Sequence, residues 1–119
     1  MPELPEVETI VADLRPHLVG RTVIGCELRF PTIVRYPEPE HFARAVVGMR
    51  IESAGRRGKY ILLALQKDLQ LVVHLGMTGH LRIVDPAAPL EIHTHAVLSL
   101  DDGRELRYRD PRQIGRAHV

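Results

Sequence analysis

A single cysteine, Cys26, occurs in 119 residues, which excludes an internal disulfide and a zinc site built from several cysteines of this chain. No apolar run approaches the roughly 18 residues expected of a membrane span. The opening Met1-Pro2-Glu3-Leu4-Pro5 is acidic and proline-punctuated, the opposite of a secretory signal, so a cytoplasmic or nucleoid location is expected. Internal repeats, low-complexity tracts and long linkers are also missing, and the chain reads as one domain of ordinary size. Lysine is scarce as well, Lys59 and Lys67 being the only two among sixteen basic side chains.

What is present suits a folded, water-borne domain: 45% apolar and 26% charged residues, close to globular averages. The net charge of +1 says nothing about nucleic acid, but its distribution is uneven. Residues 1–48 carry five arginines and seven acids, whereas residues 104–116 carry five arginines against Glu105 and Asp110. A second cluster, Arg50, Arg56, Arg57 and Lys59, faces only Glu52. Local basic surface on a near-neutral protein fits phosphate contact, and a solvated strand face fits equally well.

Val7, Ile10, Val11, Leu14 and Leu18 fall at helical spacing and predict an amphipathic helix from about Pro5 to Leu18. Pro5 suits the first turn, and Glu6 and Glu8 suit the positive end of the helix dipole. Pro16 predicts a kink or an end near Leu14 or Arg15, with Gly20 closing the segment. Seven short apolar or alternating segments read as strands: Thr22–Phe30, Arg50–Ala54, Tyr60–Leu65, Leu69–Leu75, His80–Val84, Ala96–Leu100 and Glu105–Arg109. Asp102-Gly103 reads as a two-residue hairpin turn, Lys67-Asp68 and Gly76–Gly79 as further turns, and Pro39–Val47 as a short helix with Phe42 and Val46 on one face. The expected fold is mainly β, an antiparallel β-sandwich flanked by one long N-terminal α-helix. Leu14, Ile24, Leu28, Ile61, Leu63, Val73 and Leu98 are the expected core, and Pro111–Val119 has no obvious partner.

Several residues carry chemistry. Removal of Met1, usual before a small second residue, turns Pro2 into a secondary amine, partly neutral near pH 7. Attack of such an amine on an aldehyde-like carbon gives an iminium ion, an electron sink that promotes elimination next door. Glu3, Glu6 and Glu8 lie beside it, where a carboxyl can protonate a leaving oxygen or simply cap a helix. Lys59 follows Arg56-Arg57-Gly58 and is either a mobile point charge for a phosphate or base, or an edge charge. In His74-Leu75-Gly76-Met77-Thr78-Gly79, two glycines flank a methionine slender enough to enter space left by an extruded base, or to fold back on the core. Asp110-Pro111-Arg112-Gln113-Ile114-Gly115 likewise puts an arginine and an apolar residue in a loop. His93 and His95 lack an evident third metal ligand and read as surface or phosphate-facing imidazoles.

The order and spacing of Pro2-Glu-Leu-Pro-Glu-Val-Glu-Thr, Gly58-Lys59-Tyr60, His74-Leu-Gly-Met-Thr-Gly and Asp110-Pro-Arg resemble the bacterial formamidopyrimidine-DNA glycosylases over essentially all 119 residues. The resemblance implies a base-excision repair enzyme for formamidopyrimidine and 8-oxoguanine lesions, with damaged double-stranded DNA as partner. Pro2 would attack C1′ of the damaged nucleoside as Schiff-base nucleophile, followed by base loss and β- then δ-elimination. Glu3 would act on the sugar ring oxygen and Glu6 would be a second carboxylate near the lesion. Lys59 would contact the lesion and its phosphate, and His74 and Arg112 would hold phosphate. Met77 and Arg112 would fill the void left by the flipped base, Arg112 facing the orphaned partner. Where the family usually has a phenylalanine wedge this chain has Ile114, which can unstack a base step but cannot stack on it.

The resemblance further implies a helix–two-turn–helix domain and a zinc finger, neither of which lies in residues 1–119, so the chain reads as an N-terminal catalytic domain, cut at Arg116-Ala-His-Val, with no cofactor of its own. A surface left uncovered by those domains predicts weakened DNA binding and self-association. Leu4 and the Met77/Arg112 pair favour purine lesions over the oxidised pyrimidines of the related endonuclease VIII. Two rivals stand beside this reading. A Pro-amine tautomerase also begins Met-Pro but runs directly into a strand, and a DNA-binding fragment would show no catalysis.

Overall fold

Val7, Val11, Leu14 and Leu18 each retain at most 6% of their surface, forming the buried stripe of α1, Leu4–Leu18. The computed structural model describes residues 4–30, 34–36, 38–111 and 116–118. Contrary to expectation, α1 runs through Pro16. Pro16 and Ala12, whose carbonyl loses its helical donor, are both exposed residues, so water can take the place of the missing N–H. Val19 N–H still reaches Arg15 O at 3.1 Å, and Gly20 N–H bonds Ile51 O at 2.8 Å. Gly20 has φ +89°, the left-handed geometry that ends helices.

Among the described residues nine strands follow: β1 (Val23–Leu28), β2 (Val34–Tyr36), β3 (Ile51–Arg57), β4 (Tyr60–Leu65), β5 (Gln70–His74), β6 (His80–Val84), β7 (Thr94–Leu100), β8 (Glu105–Arg109) and β9 (Arg116–His118). The helix α2, Pro39–Val46, buries Phe42 and Val46 as its sequence predicts. One sheet has the order β1-β7-β8-β6, the other β2-β9-β5-β4-β3. All pairs are antiparallel except β2 with β9. The mainly β fold flanked by an N-terminal helix is therefore the one expected.

The terminal stretch expected to lack a partner instead lies between β2 and β5. Its pairing spans most of the chain, beyond the reach of local pattern. Six of the seven expected core residues are buried or pack against the core: Leu14, Leu28, Ile61, Leu63, Val73 and Leu98. Ile24 is the exception at 59% exposed, because Val23 takes the inward position and the next side chain on a strand points away. The β7–β8 hairpin is closed by three residues, not two. Gly103 N–H bonds Leu100 O at 3.1 Å and Leu100 N–H bonds Arg104 O at 2.9 Å, with Gly103 at φ +88°, the pattern of a tight turn followed by a glycine bulge.

Candidate active site

Gly58 and Lys59 form the two-residue turn between β3 and β4, with Gly58 at φ +59°, a value glycine adopts without strain. Lys59 is thereby exposed at the hairpin tip. The hairpin is fastened to α1 by Arg56. Its Nε donates to Glu8 Oε1 at 2.7 Å and its Nη1 to Gly58 O at 3.3 Å. Farther along the helix, Arg15 Nε donates to Ala54 O at 2.9 Å. The first turns of α1, which carry exposed Glu6, are thus fixed to the turn that carries Lys59. A shallow groove lined by Pro5, Glu6, Thr9 and Ile10 runs beside Glu6.

Tyr60 opens β4 and lies cross-strand from His74 at the end of β5. Their rings are tilted with centroids 5.1 Å apart, so Lys59 and His74 belong to one patch. Three residues after His74 comes Met77, 59% exposed, so it does not fold back on the core. Its loop is rigid by construction: Gly79 N–H bonds Leu75 O at 2.8 Å, and a Cβ at Gly79 would stand 2.3 Å from that oxygen. The glycines around Met77 therefore shape a tight display loop. Pro2, Glu3, Arg112 and Ile114 lie outside the described residues.

The structure revises two further expectations. His95 is only 4% exposed, its Nε2 donates to Asp110 O at 2.8 Å, and its ring lies 5.0 Å from that of Phe30, so it is a core residue and no surface imidazole. The basic clusters are also largely compensated. Arg104 pairs with Asp102 at 2.6 Å, Arg107 with Glu105 at 2.8 Å and Arg109 with Glu91 at 3.2 Å. Arg56 is held by Glu8, and Arg50 reaches Glu52 at 3.7 Å. Arg57 and Lys59 have no ion-pair partner among the described residues.

Sequence reasoning placed Arg56 only in a basic cluster and gave Tyr60 and Asp110 no role of their own. The Glu8–Arg56 bond joins residues 48 apart, and nothing local marks it. A cavity of about 240 Å³ lies elsewhere, lined by residues including His80, Arg82, Glu91, Arg107 and Arg109. Arg107 occupies it structurally, donating to the carbonyls of Pro86, Ala88 and Pro89. Among the described residues no three His, Cys, Asp or Glu side chains are grouped to hold a metal, so the zinc of the resemblance has no fitting site in them.

The family described as formamidopyrimidine-DNA glycosylase N-terminal domain matches residues 1–117. A formamidopyrimidine-DNA glycosylase of Chloroflexus aggregans is 48% identical over 120 residues, covering 100% of this chain and 43% of that protein. One from Heliobacterium modesticaldum is 50% identical over 118 residues, covering 97% and 43%. Among solved structures, the Lactococcus lactis FPG protein in complex with a FAPY-dG containing DNA superposes with a TM-score of 0.92 at 34% identity, over 98% of this chain and 43% of that one. Its complex with an abasic site containing DNA gives 0.93 at 33% identity, over 98% and 43%. The chain spans a little over two fifths of the relatives it matches. Within that span it belongs to the formamidopyrimidine-DNA glycosylase family.

Proposed function

We propose that the chain is the catalytic domain of a DNA glycosylase and abasic-site lyase that removes oxidised purines, acting on chromosomal DNA in the bacterial cytoplasm. The observation that carries this reading is the Arg56 bridge. It fixes the helix that follows Pro2 and Glu3 in sequence to the hairpin turn bearing Lys59. After removal of Met1, the Pro2 nitrogen attacks C1′ and the glycosidic bond breaks, its electron pair leaving with the base, which takes up the proton that the Pro2 nitrogen gives up. Glu3 gives a proton to the sugar ring oxygen, which opens the ring to an iminium ion on Pro2. Loss of a C2′ proton then expels the 3′ phosphate. Lys59 and His74 hold the lesion and its phosphate, with Glu6 nearby. Met77 enters the void left by the extruded base, together with Arg112, and Ile114 takes the wedge position.

Borohydride trapping on duplex DNA with an abasic site tests this, because it reduces the iminium to a stable amine and leaves protein bound to DNA. Met1-processed protein should trap. Protein retaining Met1 should not, since its Pro2 nitrogen is an amide with a delocalised lone pair. If Met1-blocked protein traps equally, another amine is the nucleophile, Lys59 first among the candidates. Self-association belongs to the same proposal: Ile24, Leu90 and Ile92 expose apolar surface, and light scattering decides whether copies share it.

A further inference from the structure

Asp110 is completely buried at the end of β8, and four residues converge on it. Its Oδ1 accepts the Thr78 hydroxyl at 2.5 Å and its Oδ2 the Tyr108 hydroxyl at 3.1 Å. Its backbone N–H donates to His93 O at 3.1 Å, and its carbonyl accepts His95 Nε2 at 2.8 Å. No buried side-chain nitrogen or oxygen among the described residues is left without a hydrogen bond. An enclosed carboxylate is a costly way to fill a core position, because desolvation opposes it. Well-packed hydrophobic residues in place of buried charged groups are often neutral or stabilising. What a carboxylate adds is direction, since each lone pair fixes one hydroxyl in place.

One of those hydroxyls belongs to Thr78, the neighbour of Met77 in the tight loop from Leu75 to Gly79. The turn hydrogen bond of Gly79 sets the shape of that loop but not its position relative to β8. The Thr78–Asp110 bond does.

We propose that Asp110 is a positioning residue for Met77, holding the Leu75–Gly79 loop at a fixed height above the sheet through Thr78. The proposal rests on the reading of Met77 as the residue that enters the emptied base site. Asp110 itself touches no DNA in this scheme. Met77 reaches the duplex pre-placed, so that insertion does not first have to order the loop. Tyr108, the second donor, lies outside that loop and supports the carboxylate from below. Burial and the adjacent Asp110 charge hold its phenol well above the usual range, in keeping with a hydroxyl that stays protonated as a donor.

Thr78→Val removes the hydroxyl at nearly constant shape, Thr78→Ser keeps it, and Tyr108→Phe removes the donor outside the loop. The full chain is labelled with ¹³C-methyl methionine. Thr78→Val should move and broaden the Met77 methyl resonance, Thr78→Ser should restore it, and Tyr108→Phe should leave it in place while lowering the melting temperature. The same proteins are then bound to DNA with 2-aminopurine next to a tetrahydrofuran abasic analogue, which no amine can cleave. Thr78→Val should lower the insertion equilibrium read by fluorescence roughly tenfold, with Thr78→Ser close to the parent. An unchanged Met77 resonance in Thr78→Val overturns the proposal, as does an equal effect of Tyr108→Phe, which would make the network merely structural. Parent protein that neither traps abasic DNA nor changes the fluorescence defeats the functional reading instead. The methyl resonance still decides whether the clamp exists.

Discussion

Burial alters the chemistry of individual side chains here in ways that solution measurements can reach. The Cys26 thiol is pushed up to about 11 by desolvation, so at pH 8 its thiolate is about a hundredfold scarcer than at the ordinary value near 9. Alkylation of Cys26 in the folded chain should be slower than in the urea-unfolded chain by roughly that factor, and equal rates would show the side chain to be solvated. The same shift has a sign in stability. A group whose folded value is raised stabilises the fold fully below its unfolded value and loses that contribution as pH climbs to the folded one. Cys26 therefore weakens the fold from about pH 9 to 11, and Tyr108 from its ordinary value of 10 upward. Urea midpoints that fall above pH 9, with a shallower fall in Cys26→Ala and Tyr108→Phe, are the expected outcome. Residue type and motif singled out Lys59, His74 and Met77 because what marks them is local. They misplaced His95 and gave no sign of the burial of Asp110, since a side chain enclosed by distant segments looks, in sequence, like any other polar residue.

The turn at Lys67-Asp68 was legible in sequence, yet it is poorly matched to its residues. Lys67 and Asp68, between β4 and β5, both have φ of 60°, and Leu69 N–H reaches Gln66 O at 3.3 Å. That is the mirror-image hairpin turn, which asparagine and glycine fill more readily. Asp68→Gly should raise stability by about 1 kcal/mol, the cost of holding a side chain in the left-handed region, as a higher melting temperature would show. No gain would mean that glycine's greater freedom in the unfolded chain offsets the relief. Alternation found β4, β6 and β8 with their bounds because their neighbours are adjacent hairpins or nearby segments. It placed Ile24 wrongly, since the choice between Val23 and Ile24 depends on which one meets the helices and the opposite sheet. The continuation of α1 through Pro16 was illegible for a related reason. Whether a missing helical hydrogen bond breaks a helix depends on what its free carbonyl faces.

At the scale of the whole molecule, the sandwich depends on a three-residue strand. β9 separates β2 from β5, so without it β2 has no strand partner among the described residues and β5 becomes an edge. A chain ending at Gly115 should lose far more stability than the removal of four residues from a frayed terminus would cost, and should associate through the uncovered edges. Unchanged melting and a monomeric light-scattering mass would show β9 to be dispensable. The class of fold was legible because strand-like segments outnumbered helical ones. The strand order was not, because Val34 pairs with Ala117 across nearly the entire chain, and no local pattern encodes a partner so far away.

That pairing also sets a timetable. At about 5–20 residues per second of synthesis, β2 waits on the order of ten seconds for β9 to be made. During the wait the first half of the chain can pair β3 with β4 and dock α1, but β2 offers its backbone to any passing strand. Nascent chains of this domain are therefore most vulnerable in that interval, and a holdase chaperone that binds extended segments would find β2 to be its natural substrate.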